Sequence, residues 1–235
     1  MSEIKHLKDP PLRKLIRNKK QTALIPVGSI EQHGPHLPIS TDSDIVSEIA
    51  KRISKKCGFL ILPTINYGIS FEHSPFFNTS ISRSTLEKML VEICVSLSHN
   101  KIKNIIILNG HHGNQQALFS VPQKVRHLTK GMVKVKVFSY WHFMKRSFDH
   151  AGFVETSLML ALSKKVEMKK TVKGLDVSRL SKKQKEQANK LATKHFITAT
   201  KNGVWGDPRK ATSKDGKKIL SEIVQNFLKE SNLPY

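Results

Sequence analysis

The sequence predicts an α/β fold, a mainly parallel sheet covered by helices on both faces, and three observations carry that reading. Short apolar runs rich in branched residues alternate with segments whose apolar residues recur at helical spacing. The run Ile105-Ile106-Ile107-Leu108 is apolar on both sides, as a central parallel strand requires. Polar clusters follow directly on these runs, at the carboxyl ends of strands, where open α/β sheets bind ligands.

In chain order, strands are expected at 23–27, 59–63, 104–108 and 133–140. Helices are expected between them at 43–56, 84–99 and 114–129, the second opening with Ser84-Thr85-Leu86-Glu87 as a capping box. An apolar helix at 155–162, a basic helix at 178–194 and a closing helix at 213–228 complete the pattern. There is no internal repeat, and 235 residues suit one domain spanning 1–235.

A hydrophobic fraction of 38% and a charged fraction of 25% exclude a fibrous or wholly disordered chain. No apolar run approaches the length of a membrane span, and the basic first twenty residues lack the apolar stretch of a secretory signal, so the chain is expected in the cytoplasm. Cys57 and Cys94 make no disulfide framework and read as small apolar residues. The net charge of +22 collects at 14–20, 164–173 and 182–194, interspersed with polar residues as on solvated helix faces. Neither zinc-finger spacing nor the aromatic strand of an RNA-binding sheet accompanies it, which argues against a nucleic-acid partner.

The chemistry gathers in three clusters, at 31–42, 109–114 and 150–157. The first packs Glu31, His33, His36 and Asp42 between a strand and a helix; the second holds His111 and His112; the third holds His150 and Glu155. Carboxylates mixed with imidazoles suit zinc, manganese or iron. If the strand ends are neighbours, their ligands converge, and a water bridging two such ions would be deprotonated near neutral pH and able to attack a carbonyl carbon. Blander readings use the same residues: Asp42 capping a helix, and Glu155 facing a helix dipole in the first turn. His36, followed by Leu37-Pro38, reads as a supporting residue in a packed turn. Glu72 and His73 either orient substrate or pair with each other, and Trp141 and Trp205 read as core or interface.

Five motifs in order, over nearly the whole chain, resemble the creatininase family of metal-dependent amidohydrolases. They are Gly28-Ser29-Ile30-Glu31-Gln32-His33-Gly34-Pro35-His36-Leu37-Pro38 with Thr41-Asp42 close behind; Tyr67-Gly68-Ile69-Ser70-Phe71-Glu72-His73; Asn109-Gly110-His111-His112-Gly113-Asn114; His150-Ala151-Gly152 with Glu155-Thr156-Ser157; and Gly203-Val204-Trp205-Gly206-Asp207-Pro208. The resemblance implies a three-layer α/β/α sandwich with two divalent metal ions per subunit (zinc, manganese or iron). Glu31 and His111 would bind one ion and His33 the other, with Asp42 bridging. His150 would move a proton between the attacking water and the leaving nitrogen, and Ser70 and His112 would line the pocket of a small-molecule amide. A homo-oligomer, often a hexamer, is also implied.

The chain departs from that pattern in places. Creatininase has an acidic ligand where this chain has Gly113, and Glu155 is expected to replace it. Arg146 and Ser147 stand in place of a Trp-Asp pair, and Phe76-Phe77-Asn78-Thr79 in place of Phe-Pro-Gly-Thr. Arg146 and the general positive charge would favour an anionic substrate, as in the branch that deformylates a formylaminopyrimidine ribonucleotide. The Tyr67 and Gly-Asp-Pro motifs resemble the mycofactocin-type peptidase branch at least as well. A retired enzyme serving as a basic scaffold or nucleic-acid binder is the non-enzymatic alternative, and it would have no physical reason to keep a full ligand set.

Overall fold

The computed structural model describes residues 2–18, 21–162, 165–178 and 180–230. In chain order the elements are β1 (Ser2–Glu3), α1 (Asp9–Asn18), β2 (Thr22–Val27), α2 (Thr41–Cys57), β3 (Leu60–Ile61), α3 (Arg83–His99) and β4 (Asn104–Asn109). Then come α4 (Gln115–Leu128), β5 (Lys134–Ser139), α5 (Phe153–Leu162), α6 (Lys182–Ala192), α7 (Phe196–Thr200) and α8 (Ser213–Glu230). The strands form one parallel sheet in the order β1-β3-β2-β4-β5.

Strand alternation sorts the apolar residues into two cores. Ala23, Ile25, Val27, Ile105 and Ile107 meet Leu86, Leu90, Cys94, Leu118 and Val121 of α3 and α4 on one face. Leu24, Ile106 and Leu108 meet Ile45, Ile49, Leu158, Leu220 and Phe227 of α2, α5 and α8 on the other. The result is the three-layer α/β/α sandwich. The register pairs Val27 with Asn109, so the loops leaving β2 and β4 start side by side.

Several local expectations change. The strand expected at 59–63 is reduced to Leu60–Ile61; Pro26 on β2 has no N–H to continue the ladder, and pairing resumes only at the Val27–Ile65 bridge. Ser84 and Glu87 form no capping box: Ser82 is the cap, accepting from the Thr85 amide, while Glu87 reaches across to Ser120 and Lys124 of α4. The basic helix starts later, at Lys182, behind a capping box made by Ser181 and Gln184. Helix α1 went unforeseen; its Leu12, Leu15 and Ile16 pack against the core under α3 and α4.

Lys14, Lys182, Lys183 and Lys190 are exposed, as solvated helix faces require, while Lys19, Lys20 and Lys164 lie outside the described residues. Cys94 is buried and Cys57 half-buried, both as free thiols. No helix among the described residues is long and apolar enough to cross a membrane.

Candidate metal centre

The two loops that leave β2 and β4 are tied together before any functional side chain is placed. Asn114 donates from Nδ2 to the Gly28 carbonyl at 3.0 Å and accepts from the Ile69 amide at 3.0 Å, joining three loops. Asn109 accepts from the His111 amide at 3.1 Å, which sets the turn carrying that histidine. Asp42 stands in the first turn of α2, and Glu155 in the first turn of α5. Asp149 caps α5, taking the Val154 amide at 2.8 Å, and Glu155 Oε2 reaches back to the Ala151 amide at 2.7 Å.

These supports bring Glu31, His33, Asp42, His111, His150 and Glu155 together from four segments, all buried. Asp42 is the pivot. Its Oδ1 lies 3.2 Å from His33 Nε2, and its Oδ2 lies 2.9 Å from His111 Nδ1. Glu31 Oε2 is 3.3 Å from His111 Nδ1, and Glu155 Oε2 is 3.6 Å from His33 Nε2. Two potential ligand sets result, Glu31 with Asp42 and His111, and His33 with Asp42 and Glu155, the atoms of each lying within 4.8 Å of one another. A third set joins Glu31, His33 and His150.

The donor set fits cations. Both buried oxygens of Glu31 and Oδ2 of Asp42 have only imidazole nitrogens of His73 and His111 for hydrogen-bond partners, and Oε1 of Glu155 has no hydrogen-bond donor, a costly arrangement unless positive charge sits among them. The imidazoles are oriented from behind by backbone carbonyls. His33 Nδ1 faces the Glu31 carbonyl at 3.1 Å and His111 Nε2 the Ile69 carbonyl at 2.8 Å, so each turns its other nitrogen to the carboxylates. When protons supply the charge, burial opposes the imidazolium, but Asp42 and Glu155 lift His33 to about 10, and Glu31 and Asp42 lift His111 to about 10. Burial raises the Glu31 and Asp42 carboxyls, yet the neighbouring imidazoles outweigh it and hold both low. Glu155 is pushed well up by burial, with His33 only partly opposing. Zinc-like ions bound by these carboxylates and imidazoles would replace such protons.

His150 stacks on His33 with ring centroids 4.2 Å apart, and burial, then His33 and His73, holds it well below the ordinary imidazole range. A neutral imidazole at this position can accept a proton. His36 donates to or accepts from Thr156 Oγ1 at 2.8 Å, bracing α5 from the first loop. His73 pairs with Glu31 Oε1 at 3.1 Å rather than with Glu72. Gln32, which no sequence argument singled out, is 2.8 Å from His73 Nδ1 and 3.1 Å from His150 Nε2.

A cavity of about 540 Å3 opens over this centre. His112 lines it, its ring stacked near Trp141 and Phe148. Ser70, expected there, is fully buried and off the cavity wall, where Ile69 and Glu72 stand instead. Trp205, expected in core or interface, faces the cavity with Phe148 and Phe196. Asn189 and Thr193 add polar groups from α6 and its end, which sequence spacing could not assign. Arg146 is not on the wall; its guanidinium lies over the Phe153 ring at 4.8 Å.

Comparison with known proteins gives a consistent set. The creatininase family model, described as creatinine amidohydrolase, matches residues 5–230. A mycofactocin precursor peptide peptidase of Mycolicibacterium smegmatis is 32% identical over 210 residues, covering 86% of this chain and 80% of that protein. A creatinine amidohydrolase of Pseudomonas putida is 29% identical over 165 residues, covering 59% of this chain and 63% of that protein. A mutant creatininase of the zinc-zinc type superposes with a TM-score of 0.83 at 24% identity over 100% of both chains, a likeness of fold.

Proposed function

The chain belongs to the creatininase family, whose members hydrolyse carbon-nitrogen bonds, and we propose that it cleaves the amide of a small molecule at a binuclear divalent metal centre. Glu31 and His111 would hold one ion, His33 and Glu155 the other, and Asp42 would serve both. The observation that carries this reading is the division of the Asp42 carboxylate, one oxygen toward His33 and the other toward His111. Bound there, zinc, manganese or iron would polarise the amide carbonyl and make water nucleophilic near neutral pH.

The protein supplies the remaining chemistry. His150, kept neutral by burial, takes a proton on the cavity side and returns it to the departing nitrogen. His112 is likewise held below the usual imidazole range by burial and offers the substrate a neutral hydrogen-bonding ring. Phe148, Phe196 and Trp205 exclude water from the reacting carbonyl. The exposed aromatic rings of Phe71 and Phe77 support the reading of a homo-oligomer.

Metal analysis and substrate screening test the proposal together. Protein purified without chelator and loaded with zinc or manganese should hold about two ions per chain and hydrolyse at least one of formamides, cyclic amides or short peptides. Less than one tightly held ion per chain would remove the basis for it.

A further inference from the structure

The chain carries a net charge of +22, yet among the described residues no lysine or arginine lines the cavity. Its carboxylates are Glu31, Asp42, Glu72 and Asp149, and its basic groups are histidines alone. Glu31 and Asp42 belong to the metal centre, and Asp149 is engaged in capping α5. Glu72 is left over. It sits in the tight turn Phe71–His73, half-buried, with no lysine or arginine paired to its carboxylate among the described residues; the imidazoles of His111 and His73 are the charges that act on it.

Gly113 shows why Glu72 faces the chemistry. A Cβ at that position would lie 2.6 Å from His111 Nε2 and 3.1 Å from Glu72 Oε1, and would overlap the Ile69 carbonyl oxygen. Glycine therefore permits Ile69, His111 and Glu72 to pack closely against this turn, which holds the Glu72 carboxylate beside the centre on the cavity wall. Aromatic faces of Phe148, Phe196 and Trp205 line the same cavity and favour a cation as well. Beside Glu72 the wall offers a carboxylate and aromatic rings and no lysine or arginine, the complement of an ammonium.

Resting on the amidohydrolase reading above, we propose that Glu72 binds an ammonium group of the substrate, so that the chain acts on amides bearing a protonated amine, of the amino-acid amide or short-peptide type. Partial burial makes such a pair stronger than one on the open surface.

Two probes that differ only in the amine decide the matter: L-phenylalaninamide and 3-phenylpropanamide, titrated calorimetrically into the zinc-loaded and the metal-free protein. The amine-bearing probe should bind about tenfold more tightly, and Glu72→Gln should erase that preference with zinc content unchanged. Equal binding of the two probes by the unmodified protein overturns the proposal without recourse to any variant. So does a Glu72→Gln protein that keeps the preference, or one that loses zinc, which would assign Glu72 to the metal centre. Should zinc fail to load while the Glu72-dependent preference persists, the hydrolase reading falls and the ammonium site stands.

Discussion

Gln32 holds His73 in one tautomer. The side-chain oxygen of Gln32 accepts from the Gly34 amide at 2.9 Å, which turns its NH2 toward His73 Nδ1 at 2.8 Å. His73 must then carry its proton on Nε2, facing Glu31 Oε1 at 3.1 Å. The same NH2 lies 3.1 Å from His150 Nε2, which also faces the Gln32 backbone carbonyl at 3.0 Å, so one residue positions a partner of the Glu31 carboxylate and the proposed proton carrier at once. Gln32→Glu offers an acceptor where a donor is needed and should invert the His73 tautomer. A fall in kcat of about 10- to 100-fold is expected, with the altered tautomer visible in histidine 15N shifts; an unchanged rate would show that the amide positions neither ring.

Asp42→Asn tests the pivot of the centre. The amide keeps the shape of the side chain but removes the charge that both ligand sets share. Metal content and activity should fall together, with activity reduced by at least about 100-fold. A variant that keeps both ions and its rate would show that Asp42 does not bridge.

The raised histidines give a pH signature. In the metal-free protein His33 and His111 stand at about 10 against an ordinary 6.5. A folded-state value above the unfolded one means that their stabilisation is complete below about pH 6.5 and is lost as pH rises through about 10. Melting temperature of the metal-free protein should therefore decline over that alkaline range, and the loaded protein should not share this part of the decline. Loading at pH 8 should also release on the order of two protons per chain, read by calorimetry in buffers of different ionisation enthalpy. Metal uptake without proton release would contradict the arrangement.

The parts of this molecule that announce themselves in sequence are those with local causes. The run at 105–108 can only be a buried strand, and the expected helices at 84–99 and 114–129 match α3 and α4 to within one residue at each end. The six residues gathered at the candidate metal centre stand in motifs because each loop conformation is set over a few residues. Glu87 misled because its partners, Ser120 and Lys124, are distant in sequence. The wall made by Asn189, Thr193 and Phe196 was not legible for the same reason: α6 is polar and exposed along most of its length, and only its packing over the cavity gives those residues a role. Ser70 shows the converse, a motif residue whose side chain is buried by the tertiary fold.

Gly216 links the closing helix to the chemistry. A glycine inside a helix costs about 1 kcal/mol relative to alanine, so its presence in α8 calls for a reason. The reason is the close approach of α5: a Cβ on Gly216 would overlap the Ser157 carbonyl oxygen and come 2.9 Å from Ala161 Cβ. Backbone oxygen cannot rotate aside as a side chain could, so Gly216→Ala must push the two helices apart. Helix propensity alone would make this substitution stabilising; steric overlap should instead destabilise the protein by about 1–3 kcal/mol. Because α5 carries Glu155, the displacement should also weaken metal retention, whereas a change on the exposed face of α8, such as Lys217→Ala, should alter neither property. Thermal unfolding and metal content of the two variants separate these outcomes, and a Gly216→Ala protein as stable as its parent would show that the helices do not meet as closely as described.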